Sequence, residues 1–102
     1  MSITPDMITF AEELFAPLGA ISTRKMMGGL AIYQDGVIFA SLDSDGTVYL
    51  KAKGDFADQL ATEGSNQFQT HRGPMGYWTL PEAALDAPEI ACDWARKALD
   101  AL

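Results

Sequence analysis

Residues 24–53 decide the fold and read R-K-M-M-G-G-L-A-I-Y-Q-D-G-V-I-F-A-S-L-D-S-D-G-T-V-Y-L-K-A-K. Asp35-Gly36 separates two apolar runs and favours a type I′ turn, because both central residues of that turn need a positive φ. Asp43-Ser44-Asp45-Gly46 predicts a second turn, since it lacks the further ligands and the closing Glu of a calcium loop. The stretch therefore predicts two hairpins built from three antiparallel strands, at residues 26–33, 37–42 and 47–53.

The turns assign the side chains of these strands to two faces, provided that no bulge interrupts the pairing. One face is uniformly apolar and is expected to lie under helices: Leu30, Ile32, Val37, Phe39, Val48, Leu50 and Ala52. The other face mixes aromatic, small and basic residues: Met27, Gly29, Ala31, Tyr33, Ile38, Ala40, Leu42, Tyr49, Lys51 and Lys53. A bulge at Gly28-Gly29 would shift the assignment at the start of the first strand.

A helix is predicted ahead of this stretch. Thr4 is a good N-cap and Pro5 suits the first helical position, where its missing N–H costs nothing. Gly19 is a natural stop. The apolar residues of this helix recur at three- and four-residue spacing, which is typical of a stripe that faces a core: Met7, Phe10, Ala11, Leu14, Phe15 and Leu18.

Two more helices and two more strands are predicted after residue 53. Asp55 is a candidate N-cap for a short helix that ends at Gly64, and strands follow at residues 67–71 and 75–80. Asp86 and Glu89 form a capping box ahead of a last helix. The apolar stripe of that helix comprises Ala87, Ile90, Ala91, Trp94, Ala95, Ala98 and Leu102.

The element order is thus α-β-β-β-α-β-β-α, which predicts a single α+β domain over residues 1–102. We expect a two-layer sandwich in which a five-stranded antiparallel sheet carries the helices on one face. The strand at residues 37–42 is apolar on both sides, as in strands that are covered on both faces. Because the helices can cover only one face, we expect a second copy of the chain to cover the other in a homodimer.

Composition narrows the function classes. The chain has 102 residues, 48% of them hydrophobic, and a formal net charge of −7, which disfavours direct nucleic-acid binding. No signal peptide or membrane-spanning run is seen, so a soluble cytoplasmic protein is expected. One Cys and one His are too few for a closed zinc site, and no cofactor is expected.

The basic residues fall mostly in the predicted sheet, whereas the predicted helices are acidic. Arg24, Lys25 and Arg72 are candidate basic contacts for a partner, in addition to Lys51 and Lys53 on the amphipathic face. The alternative is that these basic side chains only keep the strand ends exposed to solvent and contact no partner.

Catalytic patterns are weak. His71 is the only imidazole, and no serine stands at a spacing that indicates a Ser-His-Asp site, so a surface or turn histidine is favoured. Cys92 lies beside the stripe of the last helix without a second Cys, which favours a small packing residue over a reactive thiol. Gly28-Gly29 does not join a strand to a helix N-terminus, so a phosphate-binding loop is disfavoured.

The order and spacing of several short motifs resemble the N-terminal domain of the TfoX/Sxy competence regulators. The motifs are Arg24-x-Met26-x-Gly28-Gly29, Tyr33-x-Asp35-Gly36-x-x-Phe39-Ala40, Tyr49-Leu50-Lys51, Phe68, Met75-x-Tyr77, Pro81 and Trp94. The resemblance covers nearly the whole chain and implies a secretion-chaperone-like fold. It also implies a role in regulating natural transformation genes alongside the cyclic-AMP receptor protein.

The chain departs from that family in two respects. Met27 stands where the family has Phe in its R-x-M-F-G-G motif, which exchanges one large apolar side chain for another. The C-terminal helical domain of the full regulators is absent, so we expect a stand-alone copy.

The first hypothesis is a non-enzymatic regulatory or protein-interaction module, with a protein partner in transcription regulation. The alternative is a small-molecule or peptide-binding domain that uses the amphipathic face, and the third is a small enzyme.

Overall fold

The computed structural model describes residues 3–26, 29–70 and 73–102, and the elements in them confirm the α+β class. In chain order they are α1 (Pro5–Phe15), β1 (Ile21–Met26), β2 (Gly29–Gln34), β3 (Val37–Asp43), β4 (Val48–Lys51), α2 (Gly54–Thr62), β5 (Gln67–Thr70), β6 (Gly73–Thr79) and α3 (Pro88–Asp100). Short 3-10 turns follow α1 and precede α3, at Ala16–Leu18 and Glu82–Ala84.

The strands form one antiparallel sheet in the order β1-β2-β3-β4-β6-β5. The prediction of five strands was wrong, because Ile21–Met26 forms a sixth strand that pairs with β2 from Ile21 opposite Gln34 to Met26 opposite Gly29. This strand lies at the edge of the sheet and is mostly exposed. An edge strand of this kind needs no continuous apolar face, so hydrophobic patterning did not reveal it.

Both predicted hairpin turns are present. Asp35 and Gly36 have φ angles of 51° and 81°, the positive values that a type I′ turn requires. In the second turn the Gly46 N–H donates to the Asp43 carbonyl oxygen at 2.9 Å, and the Thr47 N–H donates to Asp45 Oδ1 at 3.0 Å. The bonds from Thr47 lower the pKa of Asp45. These bonds stabilise the turn of the β3–β4 hairpin.

A bulge in β3 changes the predicted faces. Ile32 pairs with Ala40 and Tyr33 with Ile38, so Phe39 is the extra residue. Phe39 and Ala40 are both fully buried although they are neighbours in the chain. Beyond the bulge the alternation is reversed, and Leu42 is buried opposite Leu30 and Val48.

The assignment of Ala40 and Leu42 to the partner face was therefore wrong, because both belong to the core. Val37, placed in the core by the sequence, is 48% exposed at the start of β3. The bulge expected at Gly28-Gly29 falls partly outside the described residues.

The helix caps were predicted with mixed success. Thr4 caps α1, since its Oγ1 accepts the Met7 N–H at 3.2 Å. The cap predictions for the other helices were wrong: Lys53 precedes α2, Ala87 precedes α3, and neither side chain makes a capping hydrogen bond. Pro88 is the first residue of α3, and its fixed φ moves the helix start past Asp86.

All three helices contribute to one core against one face of the sheet. The Phe15 ring from α1 meets the Phe39 ring edge-on, with centroids 5.1 Å apart and planes at 88°. The ring of Phe56 from α2 packs near the ring of Trp94 from α3, with centroids 6.2 Å apart. The other buried residues of the core include Ala11, Leu14, Leu30, Ile32, Leu50, Leu60, Ala91, Cys92, Ala95 and Ala98. Among the described segments, no helix has the length and apolar character needed to cross a membrane.

Candidate functional site

The face of the sheet turned away from this core, called the outer face below, is only partly covered. Pairing places Tyr33 beside Ile38, Ser41 beside Tyr49, and Lys51 beside Tyr77. Each of these side chains is half-buried. The outer face is therefore a mixed apolar and aromatic surface with solvent access.

A groove of about 240 Å³ lies on this face and is called the outer groove below. It is lined by Met26, Gly29, Leu30, Ile38, Ser41, Leu42, Asp43, Tyr49, Phe68 and Tyr77. Two of these lining residues, Leu30 and Leu42, are buried members of the core, whereas Met26 is 53% exposed. Three of the lining residues, Tyr49, Phe68 and Tyr77, are aromatic.

Aromatic rings form one wall of the outer groove. Tyr49 and Phe68 meet edge-to-face, with centroids 4.9 Å apart and planes at 70°. Phe68 lies on β5 and Tyr77 on β6, and both reach the groove because β6 pairs between β4 and β5. The sequence analysis missed both residues, since the insertion of β6 is a long-range pairing that no local pattern encodes.

A carboxylate also lines the outer groove. Asp43 pairs with Gly29, and its Oδ1 lies 3.9 Å from where a Cβ of residue 29 would stand. That Cβ would also lie 3.0 Å from the Leu42 carbonyl oxygen, so glycine keeps this part of the groove open. Within the described part of the chain, the Asp43 carboxylate makes no hydrogen bond or ion pair.

Burial raises the pKa values of three titratable groups that line the groove. Burial, and next the charge of Asp45, raises the pKa of Asp43. Burial likewise raises the pKa of Tyr49, with Asp43 and Asp45 adding to the effect, and burial followed by Tyr33 raises the pKa of Tyr77. Both tyrosines therefore remain neutral phenols near pH 7, and Asp43 is the one acidic residue in the described lining of the groove.

The residues predicted for a partner face are only partly brought together. Tyr33, Ile38, Tyr49 and Lys51 share the outer face, whereas Lys53 lies beyond β4, just before α2. Arg24 lies with Tyr33 in a separate shallow depression near the β2–β3 turn. The remaining predicted contacts are the exposed Lys25, opposite Leu30, and Met27 and Arg72, which fall outside the described residues.

Cys92 is the nucleophile candidate that falls within the described residues. Cys92 is fully buried, and its Sγ donates a weak hydrogen bond to the Leu14 carbonyl oxygen at 3.6 Å. Burial raises the pKa of the Cys92 thiol, which makes the reactive thiolate scarce. His71 lies outside the described residues. Across residues 3–26, 29–70 and 73–102, no group of three His, Cys, Asp or Glu side chains is arranged to hold a metal ion.

The buried thiol gives a direct test of core packing. Cys92 should react with an aromatic disulfide reagent about a thousandfold more slowly than a free thiol, because reaction requires the core to open. A Cys92→Ala, Glu12→Cys variant, whose thiol lies on the exposed side of α1, should react at the free rate. Absorbance of the released thiolate measures both rates, and equal rates would contradict the buried placement.

The chain belongs to the TfoX N-terminal domain family. The model of that family matches residues 13–102, which include every strand and all but the first two turns of α1. The resemblance read from the motifs is therefore confirmed. A search of curated proteins finds no match to the chain.

Proposed function

We propose that this protein is a non-enzymatic regulatory module that acts through protein–protein contacts on the outer face. One observation carries the proposal: half-buried apolar and aromatic side chains continue across β3, β4 and β6 on the face away from the core. An exposed apolar surface rimmed by polar residues is typical of an interaction site. Arg24 and Lys51 supply such polar groups on this face.

The partner we propose is a second copy of the chain. A two-fold dimer through the outer face would bury Ile38, Tyr33 and Tyr49 on both protomers at once. The acidic net charge of −7 acts against close approach, so apolar burial must supply the affinity while rim charges set the orientation. We also propose the two-layer sandwich with a secretion-chaperone-like topology, which the shared core of three helices and one sheet face supports.

Family membership supports a wider proposal about context. The role implied by the family resemblance is the control of natural transformation genes alongside the cyclic-AMP receptor protein, in the cytoplasm. We propose that the module enters such regulation by binding protein.

Sedimentation equilibrium of the unmodified protein tests the proposed dimer. We expect a mass of twice 11.0 kDa at tens of micromolar, with dissociation on dilution. A mass of 11.0 kDa throughout this range would refute self-association, and the partner would then have to be another protein.

Direct DNA binding is expected to be negligible. Acidic residues outnumber basic ones by 14 to 7, so phosphates meet an unfavourable field over most of the surface. In a mobility-shift titration at physiological salt, micromolar protein should leave a DNA duplex unshifted, while a basic DNA-binding protein run in parallel shifts it. A salt-sensitive shift by this chain would argue for direct DNA contact.

A second candidate function is ligand binding at the outer groove. The aromatic wall and the Asp43 carboxylate, which has no partner among the described residues, favour ligand binding specifically, since a flat protein-binding surface requires neither.

A further inference from the structure

The size of the outer groove limits what it can hold. Pockets for drug-sized ligands run from roughly 300 to 1,000 Å³. The outer groove, at about 240 Å³, lies just below that range. A single head group of a few heavy atoms fits this volume, whereas a nucleotide or an extended peptide would have to lie largely outside it.

The aromatic wall favours a cation. The face of a phenol or benzene ring is electronegative, and a cation within about 6 Å of the ring centroid is attracted to it. Tyr49 and Phe68 meet nearly at right angles, so a group in the groove can contact two rings that have different orientations. This chain already shows such an interaction elsewhere, where Lys97 Nζ lies 4.7 Å from the centroid of Trp94.

The carboxylate points to the same ligand class. Asp43 is partly desolvated, and no cation among the described residues pairs with it. A bound anion would meet Asp43 and, close behind it, Asp45. A neutral apolar group would remove more water from Asp43 and provide no compensating charge, which is costly. A cation with an apolar surface satisfies both the rings and the carboxylate.

We propose that the outer groove binds a small organic cation of the trimethylammonium class, with its methyl groups against Tyr49, Phe68 and Tyr77 and its charge toward Asp43. The occupant is a free small molecule, because the groove holds one head group and its carboxylate has no charge partner among the residues that the structure describes. This proposal goes beyond the proposed function and does not require the dimer.

The test compares choline with its uncharged isostere 3,3-dimethyl-1-butanol, using amide NMR shifts of the intact protein. Choline should shift the resonances of Asp43, Tyr49 and Phe68 in a saturable manner, and the isostere should bind about tenfold more weakly or less. No saturation by tens of millimolar choline, or equal binding of the isostere, would overturn the proposal.

Two variants separate charge from shape. Asp43→Asn keeps the size of the side chain and should weaken choline binding about tenfold while leaving isostere binding unchanged. Glu63→Gln, an exposed substitution at the end of α2, is the matched control and should bind choline as the unmodified protein does. Circular dichroism verifies that both variants fold. Unchanged choline affinity in folded Asp43→Asn would overturn the assigned role of the carboxylate.

Sedimentation of the same samples keeps the two proposals apart. A monomer that binds choline supports the groove and refutes the dimer. Because a dimer through the outer face would bury Ile38 and Tyr49 of the groove, a dimeric sample is also diluted until it dissociates, and failure of the dissociated protein to bind choline refutes the cation site.

Discussion

Aspartate in place of Phe39 should unfold the protein, whereas aspartate at the preceding residue, Ile38, should leave it folded and monomeric. Phe39 is fully buried, with its ring 5.1 Å from that of Phe15. Losing that ring costs about 3–5 kcal/mol, and burying an unpaired carboxylate adds several more, which together exceed the total stability of many domains. Ile38 is half-buried on the outer face, where a carboxylate can reach water.

Circular dichroism and sedimentation on the two variants decide between the faces. Ile38→Asp should keep the native spectrum and sediment as a monomer at tens of micromolar, while Phe39→Asp should lose the spectrum. If both variants unfold alike, the outer face is more tightly packed than the structure shows. If Ile38→Asp remains a dimer, the interface lies elsewhere.

Phe15→Ala should lower the free energy of unfolding by about 3–5 kcal/mol, because it empties the position that joins α1 to the sheet. The matched control is Phe10→Ala on the same helix, whose side chain is 38% exposed. That change should alter the free energy of unfolding by about 0.5 kcal/mol or less. Urea unfolding followed by fluorescence of Trp78 and Trp94 measures both values, since both rings pack against the core.

Similar losses in the two variants would show that α1 packs through its whole apolar stripe, as the sequence pattern alone suggests. A small loss in both would mean that α1 contributes little to stability.

Local features of the fold could be predicted from the sequence. Asp35-Gly36 and Thr4-Pro5 act through φ angles and hydrogen bonds within four residues, so their outcome does not depend on distant parts of the chain. The start of α3 is also a local feature, since Pro88 is its first residue, but the Asp86-Glu89 pattern predicted an earlier start and was wrong.

The bulge shows why the faces could not be predicted with the same success. One extra residue at Phe39 reverses the alternation for the rest of β3, and nothing in V-I-F-A-S-L-D distinguishes a bulged strand from a regular one. Helix patterns likewise do not show which residues of an apolar stripe are buried. Phe10 and Ile90 have the spacing of their stripes, yet 38% and 40% of their surfaces remain exposed. The stripe predicts a side of the helix, and only packing shows where the core ends.

The outer groove depends on still more distant contacts. Asp43 and Tyr49 flank one hairpin, and their closeness follows from the turn between them. Phe68 and Tyr77 join them only because the chain passes through α2 and returns with β6 beside β4. Composition and periodicity do not determine strand order of this kind, so the contribution of Phe68 and Tyr77 to the groove could not be predicted from the sequence.

The edge strand β1 has a consequence for solution behaviour at high concentration. Alternate residues of an edge strand direct their N–H and C=O groups outward, where a strand of another molecule can pair with them. Arg24 and Lys25 are exposed on this short strand, and it contains no acidic residue. Antiparallel pairing of two such strands would crowd four cations into a few residues. This repulsion protects the sheet from growing edge to edge into fibrils.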